Sequence, residues 1–234
     1  MKINTSDALL GELLIKEFKF ETYKYANNSS NIEYILGCLD KCSKISIPQN
    51  KWYRARIVKS NDSDIIYDEH GIPLKGYLAE KSGVAPAQCT ECGRANDKFE
   101  QVLYIAEDEK TAQKEVRADA GTYVSIASCN FVNNITLMDF SPYIESQLSN
   151  YANENFVDSQ TNAYIFIQIQ RILTMPEYSK DDYIISRNLV KIIKEKIAVS
   201  GMIYISHFTG KRNIAIWDDN KFIKFTDGCL RFIE

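Results

Sequence analysis

The order of strand-like and helix-like segments constrains the fold of this 234-residue chain more than any other feature. Short runs of alternating or apolar residues predict strands, and longer runs with apolar residues at helical spacing predict helices. These segments do not follow the regular strand–helix–strand alternation of a doubly wound parallel sheet. We therefore predict an α+β domain in which strands and helices are mixed.

Strands are predicted at 52–58, 101–106, 122–127, 135–140, 202–206, 213–217 and 221–225, and helices at 109–118, 141–173 and 181–197. Asp108 precedes the first of these helices and is suited to cap it, because its side chain accepts from N–H groups of the first turn. Residues 59–99 are polar and contain several glycines and prolines, which predicts a long loop. Long loops in compact domains often carry function, so this loop is predicted to cover a substrate.

The first 48 residues are predicted to form a helical N-terminal extension, followed by a main domain over residues 49–234. Apolar residues at helical spacing follow Ser6, a suitable N-cap, and a second such set begins at Ile32. Pro48–Asn50 then breaks the helical pattern. The pattern fits a small appendage, a lid and the tail of a longer protein equally well.

The charge balance argues against some classes of partner. The formal net charge is −3 and the sequence pI is about 5.6, whereas a protein that grips duplex nucleic acid by its phosphates is usually basic. No apolar run approaches the roughly 18 residues that a membrane-spanning helix requires. We therefore predict a cytoplasmic protein that binds neither nucleic acid nor a membrane.

The six cysteines are too few and too scattered for the disulfide framework of a secreted protein. Cys89 and Cys92 form a single C-x-x-C pair. A structural zinc site needs about four ligands, and the chain has only two histidines, His70 and His207. We therefore predict two reduced thiols in a turn and no bound metal.

Five short stretches contain polar residues suited to one nucleotide-binding site. Arginine forks bind the oxygens of a diphosphate, a tyrosine stacks on an aromatic ring, and a carboxylate and a hydroxyl bind a sugar. Such a set suits a dinucleotide that is cleaved at its glycosidic bond. The stretches are Trp52-Tyr53-Arg54-Ala55-Arg56, Gly93-Arg94-Ala95-Asn96, Leu103-Tyr104-Ile105-Ala106, Thr111-Ala112-Gln113-Lys114-Glu115-Val116 and Gly201-Met202-Ile203-Tyr204-Ile205-Ser206.

In their order and spacing these stretches resemble the RES-domain family, from about Trp52 to Trp217. The family is named for an arginine, a glutamate and a serine. The resemblance implies that residues 49–234 form an ADP-ribosyltransferase-type fold, with a small, mixed, curved sheet flanked by helices. It also implies that the domain takes NAD as its substrate, with inorganic phosphate or water as the attacking group. Many relatives are toxins of bacterial toxin–antitoxin pairs. That implies a neutralising antitoxin as partner and leaves the oligomeric state open, a homo-oligomer included.

By this resemblance Arg54 is the signature arginine, and it is predicted to bind phosphate as part of the catalytic set. Arg56, on the same predicted strand face, and Arg94, in a turn before the next strand, are predicted to bind the phosphates or ribose of NAD. Each arginine has a structural alternative. Arg54 would otherwise form a surface ion pair and Arg56 would be its solvated neighbour. The stretch around Arg94 would simply be a turn with positive φ at glycine and asparagine.

Glu115 is the predicted catalytic carboxylate. Departure of nicotinamide builds positive charge on the ribose, and a carboxylate that binds the ribose hydroxyls stabilises that charge. Tyr104 is predicted to stack on the nicotinamide ring, and Ser206 is predicted to bind a phosphate or the nicotinamide amide. The structural alternatives are a solvated helix residue at Glu115, a core residue at Tyr104 and a turn residue at Ser206.

Two positions stand apart from this pattern. Relatives often carry a glutamine near the start of the late helix, where this chain has Arg187, and the effect of a cation there is left open. His207 is next to Ser206 and could act as a base, but the resemblance does not single it out and a lone histidine is usually structural.

The favoured function is degradation of NAD by phosphorolysis or hydrolysis, which would make the protein a toxin that depletes NAD. Two rival functions belong to other classes. One is the transfer of ADP-ribose onto a protein target. The other is a non-catalytic module that retains the fold and binds a nucleotide or a protein. The product formed from NAD distinguishes all of them.

Overall fold

The computed structural model describes residues 30–40, 44–46, 51–60, 62–141, 156–175, 183–217 and 223–234. The helices are α1 (Ser30–Asp40), α2 (Glu109–Glu115), α3 (Phe156–Thr174) and α4 (Ile184–Lys196). The strands are β1 (Lys44–Ser46), β2 (Trp52–Ile57), β3 (Leu103–Ala106), β4 (Tyr123–Phe131), β5 (Thr136–Asp139), β6 (Gly201–Ile205), β7 (Arg212–Ile216), β8 (Ile223–Phe225) and β9 (Cys229–Phe232). The predicted α+β class, with a mixed sheet flanked by helices, is confirmed.

All of these strands belong to one sheet, in the order β1-β5-β6-β7-β3-β2-β4-β8, and β9 also pairs with β4. The pair β5–β6 is parallel, and the other pairs among the described strands are antiparallel. Ile45 of β1 and Ile223 of β8 come from opposite ends of this order, yet both pack into one apolar cluster. The sheet therefore curves around that cluster.

Helices α1, α3 and α4 cover the other face of the sheet. Each buries one apolar stripe against the sheet, with Ile35 from α1, Phe166 from α3 and Ile193 from α4 all buried. Met202 and Tyr204 of β6 face them from the sheet. This layer fixes α4 beside the central strands, where the candidate site lies.

The predicted N-terminal extension is described only in part. Its second predicted helix is confirmed as α1, and the first, which would begin near Ser6, lies outside the described residues. Lys44–Ser46 is a strand that pairs with β5, although the sequence predicted only helix before residue 48. The division of the chain at residue 48 stays a prediction.

Some element boundaries differ from those predicted. Helix α2 ends at Glu115 rather than at 118, because Arg117 adopts φ of 49°, the left-handed conformation that ends many helices. Strand β4 runs to Phe131 because its second half pairs with β8. The short strands β1 and β9 have too little sequence pattern to be predicted. Of the predicted helix 141–173, residues 142–155 lie outside the described part.

The long loop after β2 is confirmed as irregular, with two single turns of 3-10 helix. Its first half packs on the sheet rather than over a cavity: Tyr77 is buried and its backbone N–H donates to Oγ of Ser125 at 2.9 Å. Gly76 has no room for a side chain, because a Cβ there would lie 2.3 Å from the carbonyl oxygen of Gly228. Only the end of the loop reaches the candidate site.

Candidate active site

A cavity opens where strands β2 and β3 separate. Strand β2 pairs with β4 along all of its residues, but its described pairing with β3 is limited to Tyr53 opposite Ala106. The cavity has a volume of about 290 Å³, at the small end of the range of ligand sites, roughly 300–1,000 Å³. It is lined by Tyr53, Arg54, Ala55, Gly93, Arg94, Tyr104, Ile105, Ala106, Ala112, Glu115, Val116, Tyr183, Tyr204 and Asn213. Four of the six predicted site residues therefore lie around one cavity.

The guanidinium of Arg54 is a cation with almost no partner among the described residues. Its Nε is shielded from solvent and has no hydrogen-bond partner among the described residues, and a terminal nitrogen lies 3.5 Å from the carbonyl oxygen of Tyr104. Burial, together with the charge of Arg56, lowers the pKa of Arg54 to about 10. The thiol of Cys129 provides no counter-charge, because burial raises its pKa to about 12. At neutral pH Arg54 is therefore a charged group with no counter-ion in the described part of the chain, and it is suited to an anionic ligand.

Arg56 does not line the cavity. Its guanidinium donates to the backbone carbonyl of Lys81 and lies over the ring of Tyr77, 4.4 Å from the ring centre. These contacts hold the long loop against the sheet, so the structure gives Arg56 a packing role. Its contact with NAD stays a prediction.

Arg94 joins the cavity to the end of helix α3. Its guanidinium donates to the carbonyl oxygens of Ile172 and Met175, both at 3.1 Å, and a cation is favourable at a helix C-terminus. The same group lies between two rings, 5.6 Å from the centres of Tyr183 and Tyr204. Arg94 is therefore held firmly in place while it lines the cavity.

Tyr104 fastens the Gly93–Asn96 turn to strand β3. Its hydroxyl donates to Oδ1 of Asn96 at 2.8 Å and accepts from the backbone N–H of Ala95 at 2.9 Å. Burial raises the pKa of Tyr104, so the hydroxyl stays protonated. Gly93 is required by this close contact, because a Cβ there would lie 2.5 Å from Asn96 Oδ1. The hydroxyl of Tyr104 therefore holds the turn in place, and the same residue lines the cavity.

Glu115 is presented by one face of helix α2. Asp108 caps the helix as predicted, accepting from the backbone N–H of Thr111 at 2.7 Å. Ala112, Glu115 and Val116 follow at helical spacing and all line the cavity. Glu115 is the last residue of the helix, and it is half-buried where it lines the cavity.

Asn213 was not predicted from the sequence, yet it holds the Glu115 carboxylate. Its Nδ2 donates to Oε1 of Glu115 at 2.7 Å, while its own Oδ1 is buried and has no partner among the described residues. Tyr204 lies opposite Asn213 in the sheet, and burial, with Glu115 nearby, raises the pKa of Tyr204 well above its ordinary value. The signal in the sequence was an asparagine in a strand, where that residue type is disfavoured.

Ser206 is buried but does not line the cavity. Its Oγ accepts from the backbone N–H of Phe208 at 3.2 Å, and its backbone carbonyl accepts from Gly210. These bonds close the turn between β6 and β7, as in the structural alternative considered for this residue. Direct contact between Ser206 and NAD stays a prediction. His207 is exposed and also lies outside the lining.

Arg187 belongs to a cluster of ion pairs on helix α4. Its Nε lies 3.1 Å from Oδ1 of Asp97, and Nζ of Lys191 lies 2.5 Å from the other oxygen of the same carboxylate. One turn further along, Nζ of Lys194 lies 2.5 Å from Oε1 of Glu100. The cation that replaces the family's glutamine therefore binds the loop next to the Gly93–Asn96 turn, and it does not line the cavity.

Neither a metal cluster nor a membrane-spanning helix is found in the described part of the chain. No group of three or more His, Cys, Asp or Glu side chains there could hold a metal ion. Cys89 and Cys92 are free thiols. None of the described helices is long and apolar enough to cross a membrane.

Fold and cavity together define a class of protein: an α+β domain whose split sheet brings two arginines, four tyrosines and one glutamate around a single cavity. The profile of the RES domain matches residues 68–227, about two thirds of the chain. The chain therefore belongs to the RES-domain family. The match includes Arg94, Tyr104, Glu115 and Ser206 and begins after Arg54.

A solved structure similar to this chain is the crystal structure of the M. tuberculosis MbcT–MbcA toxin–antitoxin complex. The TM-score is 0.47 and the identity 11%, and the alignment covers 86% of this chain and 93% of that chain. Comparison with curated proteins found no sequence match.

Proposed function

We propose that this protein cleaves the bond between nicotinamide and ribose in NAD, by phosphorolysis or hydrolysis. The observation that carries the proposal is the charge arrangement in the cavity, where Arg54 lacks a counter-ion and Glu115 lines the same space. A buried cation without an acceptor is costly unless a ligand supplies one. A diphosphate supplies anionic oxygens, and a ribose beside it supplies hydroxyls for the carboxylate.

The carboxylate is suited to the step in which charge develops. The bond from C1″ to the pyridinium nitrogen breaks with both electrons moving to nitrogen, so neutral nicotinamide leaves and the ribose becomes positive. Glu115 then offers a negative group that Asn213 holds in place, and such pre-oriented charge lowers the barrier. Water bonds to C1″ and releases a proton, or phosphate bonds to C1″ through an anionic oxygen.

The size of the cavity determines which part of NAD would enter it. At about 290 Å³ the space suits the nicotinamide and its ribose, and the adenosine half would lie outside. Tyr104 and Tyr204 line the cavity and supply aromatic surface for nicotinamide, and Arg54 and Arg94 supply charge for the diphosphate. Inorganic phosphate, as co-substrate, would need the same positive groups.

A cell that makes such an enzyme must be able to inhibit it. The family resemblance therefore supports a toxin that acts on cytoplasmic NAD and is neutralised by an antitoxin protein, and we propose both. An antitoxin that covers the cavity mouth would block access of NAD to Arg54. The measurable consequence is loss of nicotinamide release when the two proteins are mixed.

One assay tests the proposed activity. Purified protein is incubated with NAD, with and without inorganic phosphate, and the products are separated by chromatography. Nicotinamide with ADP-ribose 1″-phosphate indicates phosphorolysis, and nicotinamide with free ADP-ribose indicates hydrolysis. ADP-ribose bound to protein indicates the rival transferase. If no nicotinamide appears under any condition, the proposed activity is wrong and the binding-module reading replaces it.

A further inference from the structure

Asn213 occupies a central position that the family signature does not include. It lies on β7, opposite Tyr204 of β6 on one side and Ala106 of β3 on the other. The residue is 2% exposed, and its side chain reaches the end of helix α2. A polar amide at such a buried strand position requires a reason, because strand interiors favour apolar β-branched side chains.

The orientation of the Asn213 amide is set by Glu115. Nδ2 donates to Oε1 of Glu115 at 2.7 Å, a short bond of the kind that an ionised acceptor makes. Oδ1 of the same amide is buried with no partner among the described residues, which costs free energy. Rotating the amide would not help, because Oδ1 would then face the carboxylate oxygen. The protein thus leaves one amide atom unpaired in order to keep the bond to Glu115.

Glu115 needs an anchor of this kind because the helix ends there. Val116 is the C-cap and Arg117 has φ of 49°, so no following helical turn constrains the Glu115 side chain. Asn213 bonds to only one of the two carboxylate oxygens. The bond to Oε1 restrains the carboxylate, and no bond to Oε2 is seen among the described residues, so Oε2 is available to a ligand in the cavity that Glu115 lines.

We propose that Asn213 is a positioning residue, which orients the Glu115 carboxylate so that Oε2 meets the ribose of the substrate. This inference rests on the proposed NAD cleavage for its kinetic consequence, but the bond itself is testable without activity. The proposal also explains the unpaired Oδ1. Buried polar atoms are normally hydrogen-bonded, and exceptions are expected at residues that support a functional group.

The kinetic test uses Asn213→Leu, which is close in shape but has no donor. Thermal unfolding should show a folded protein with a Tm close to that of wild type, because removal of the unpaired Oδ1 offsets loss of the bond to Glu115. Nicotinamide release should nonetheless fall about 10-fold to 100-fold in kcat, the scale of a misplaced catalytic group, with KM for NAD within about 3-fold. The same change in a Glu115→Gln background should cost less than about 3-fold, because the two residues act as one unit. Asn130→Leu, at an exposed strand position, is the control.

A second measurement does not depend on activity. In nitrogen-15 NMR spectra the side-chain amide signal of Asn213, identified by its loss in Asn213→Leu, should exchange slowly with water. It should shift and exchange faster in Glu115→Ala. If the wild-type protein releases no nicotinamide, the proposed function is wrong, but the bond between Asn213 and Glu115 is still tested by this NMR measurement. Full kcat in Asn213→Leu, or an Asn213 amide signal that Glu115→Ala does not alter, would overturn it.

Discussion

Two regions beside the cavity treat their charged residues in opposite ways. The α4 wall, none of whose charged side chains lines the cavity, consists of Arg187, Lys191 and Lys194 with the loop carboxylates Asp97 and Glu100, and each cation has a carboxylate partner within 4 Å. On the β2 wall, Arg54 has one long contact to a carbonyl and a buried Nε without a partner. Cations on the α4 wall therefore hold the structure together, whereas Arg54 is kept for a ligand. Mutations on the β2 side should alter function, and mutations on the α4 side should alter stability.

The largest expected effect is at Glu115. Glu115→Gln keeps the size and the acceptor for Asn213 but loses the negative charge, so it should bind NAD within a few-fold of wild type and turn it over at least ~100-fold more slowly. Steady-state kinetics and calorimetry measure the two quantities. The matched control is Glu109→Gln, on the same helix but paired with Arg231 at the surface. Near-normal turnover in Glu115→Gln would return Glu115 to the class of solvated helix residues.

Arg54 should give the next largest effect on function, and its replacement should not lower the free energy of unfolding. Arg54→Met removes a charge-assisted contact to phosphate, which should weaken NAD binding by about 1.5–3 kcal/mol, or roughly 10-fold to 100-fold in Kd. The free energy of unfolding should stay the same or rise, because an unpaired buried cation is replaced by an apolar chain. Arg231→Met, at an exposed position, controls for loss of charge. Unchanged NAD affinity in Arg54→Met would break the contrast between the two walls.

Asp108 is a carboxylate that already has a partner within the protein, the backbone N–H of Thr111. Its bond to Thr111 N–H holds the pKa of Asp108 below its usual value, so its stabilising effect is present above pH 4 and is lost as the pH falls below about 4. Asp108→Ala should lower the free energy of unfolding by about 1 kcal/mol at pH 7, with a smaller loss at pH 3. Urea unfolding at the two pH values measures both. An equal loss at pH 3 and pH 7 would contradict the role of the charge in this cap.

Arg187 should give the smallest effect, on stability alone. Arg187→Met breaks the pair with Asp97, which Lys191 still contacts. The free energy of unfolding should therefore fall by about 0.5–1 kcal/mol, and Tm by roughly 1–4 °C. The Kd for NAD should change less than about 3-fold. A larger loss of affinity than of stability would show that the α4 wall also contacts the ligand, and would remove the distinction between the walls.

The site residues that the sequence predicts are those that stand in recognisable short stretches of the family pattern. Arg54, Arg94, Tyr104 and Glu115 each stand in such a stretch, and all four line the cavity. Asn213 and Tyr204 come from the distant β6–β7 hairpin and have no periodic signal of their own. The cavity itself results from the separation of β2 from β3 after the Tyr53–Ala106 pair, which depends on strand pairing across the whole sheet.

The same reasoning explains what was predicted of the fold. Helix α4 has apolar residues at clear helical spacing, and Leu189, Ile192 and Ile193 are buried as that spacing indicates. Strands β1 and β9 have three and four residues, too short for an alternating pattern to stand out. Their existence is determined by the neighbouring strands, β5 and β4, that they complete.

Strand β1 also has a practical consequence for handling this protein. Lys44–Ser46 covers the outer backbone of β5, and α1 covers part of the apolar layer beneath it. A fragment that begins at residue 49 would present β5 as an uncovered edge, and an open sheet edge is a template on which copies of a chain pair with one another. Such a fragment should precipitate or form aggregates, so expressed protein intended for any of these assays should retain residues 30–48.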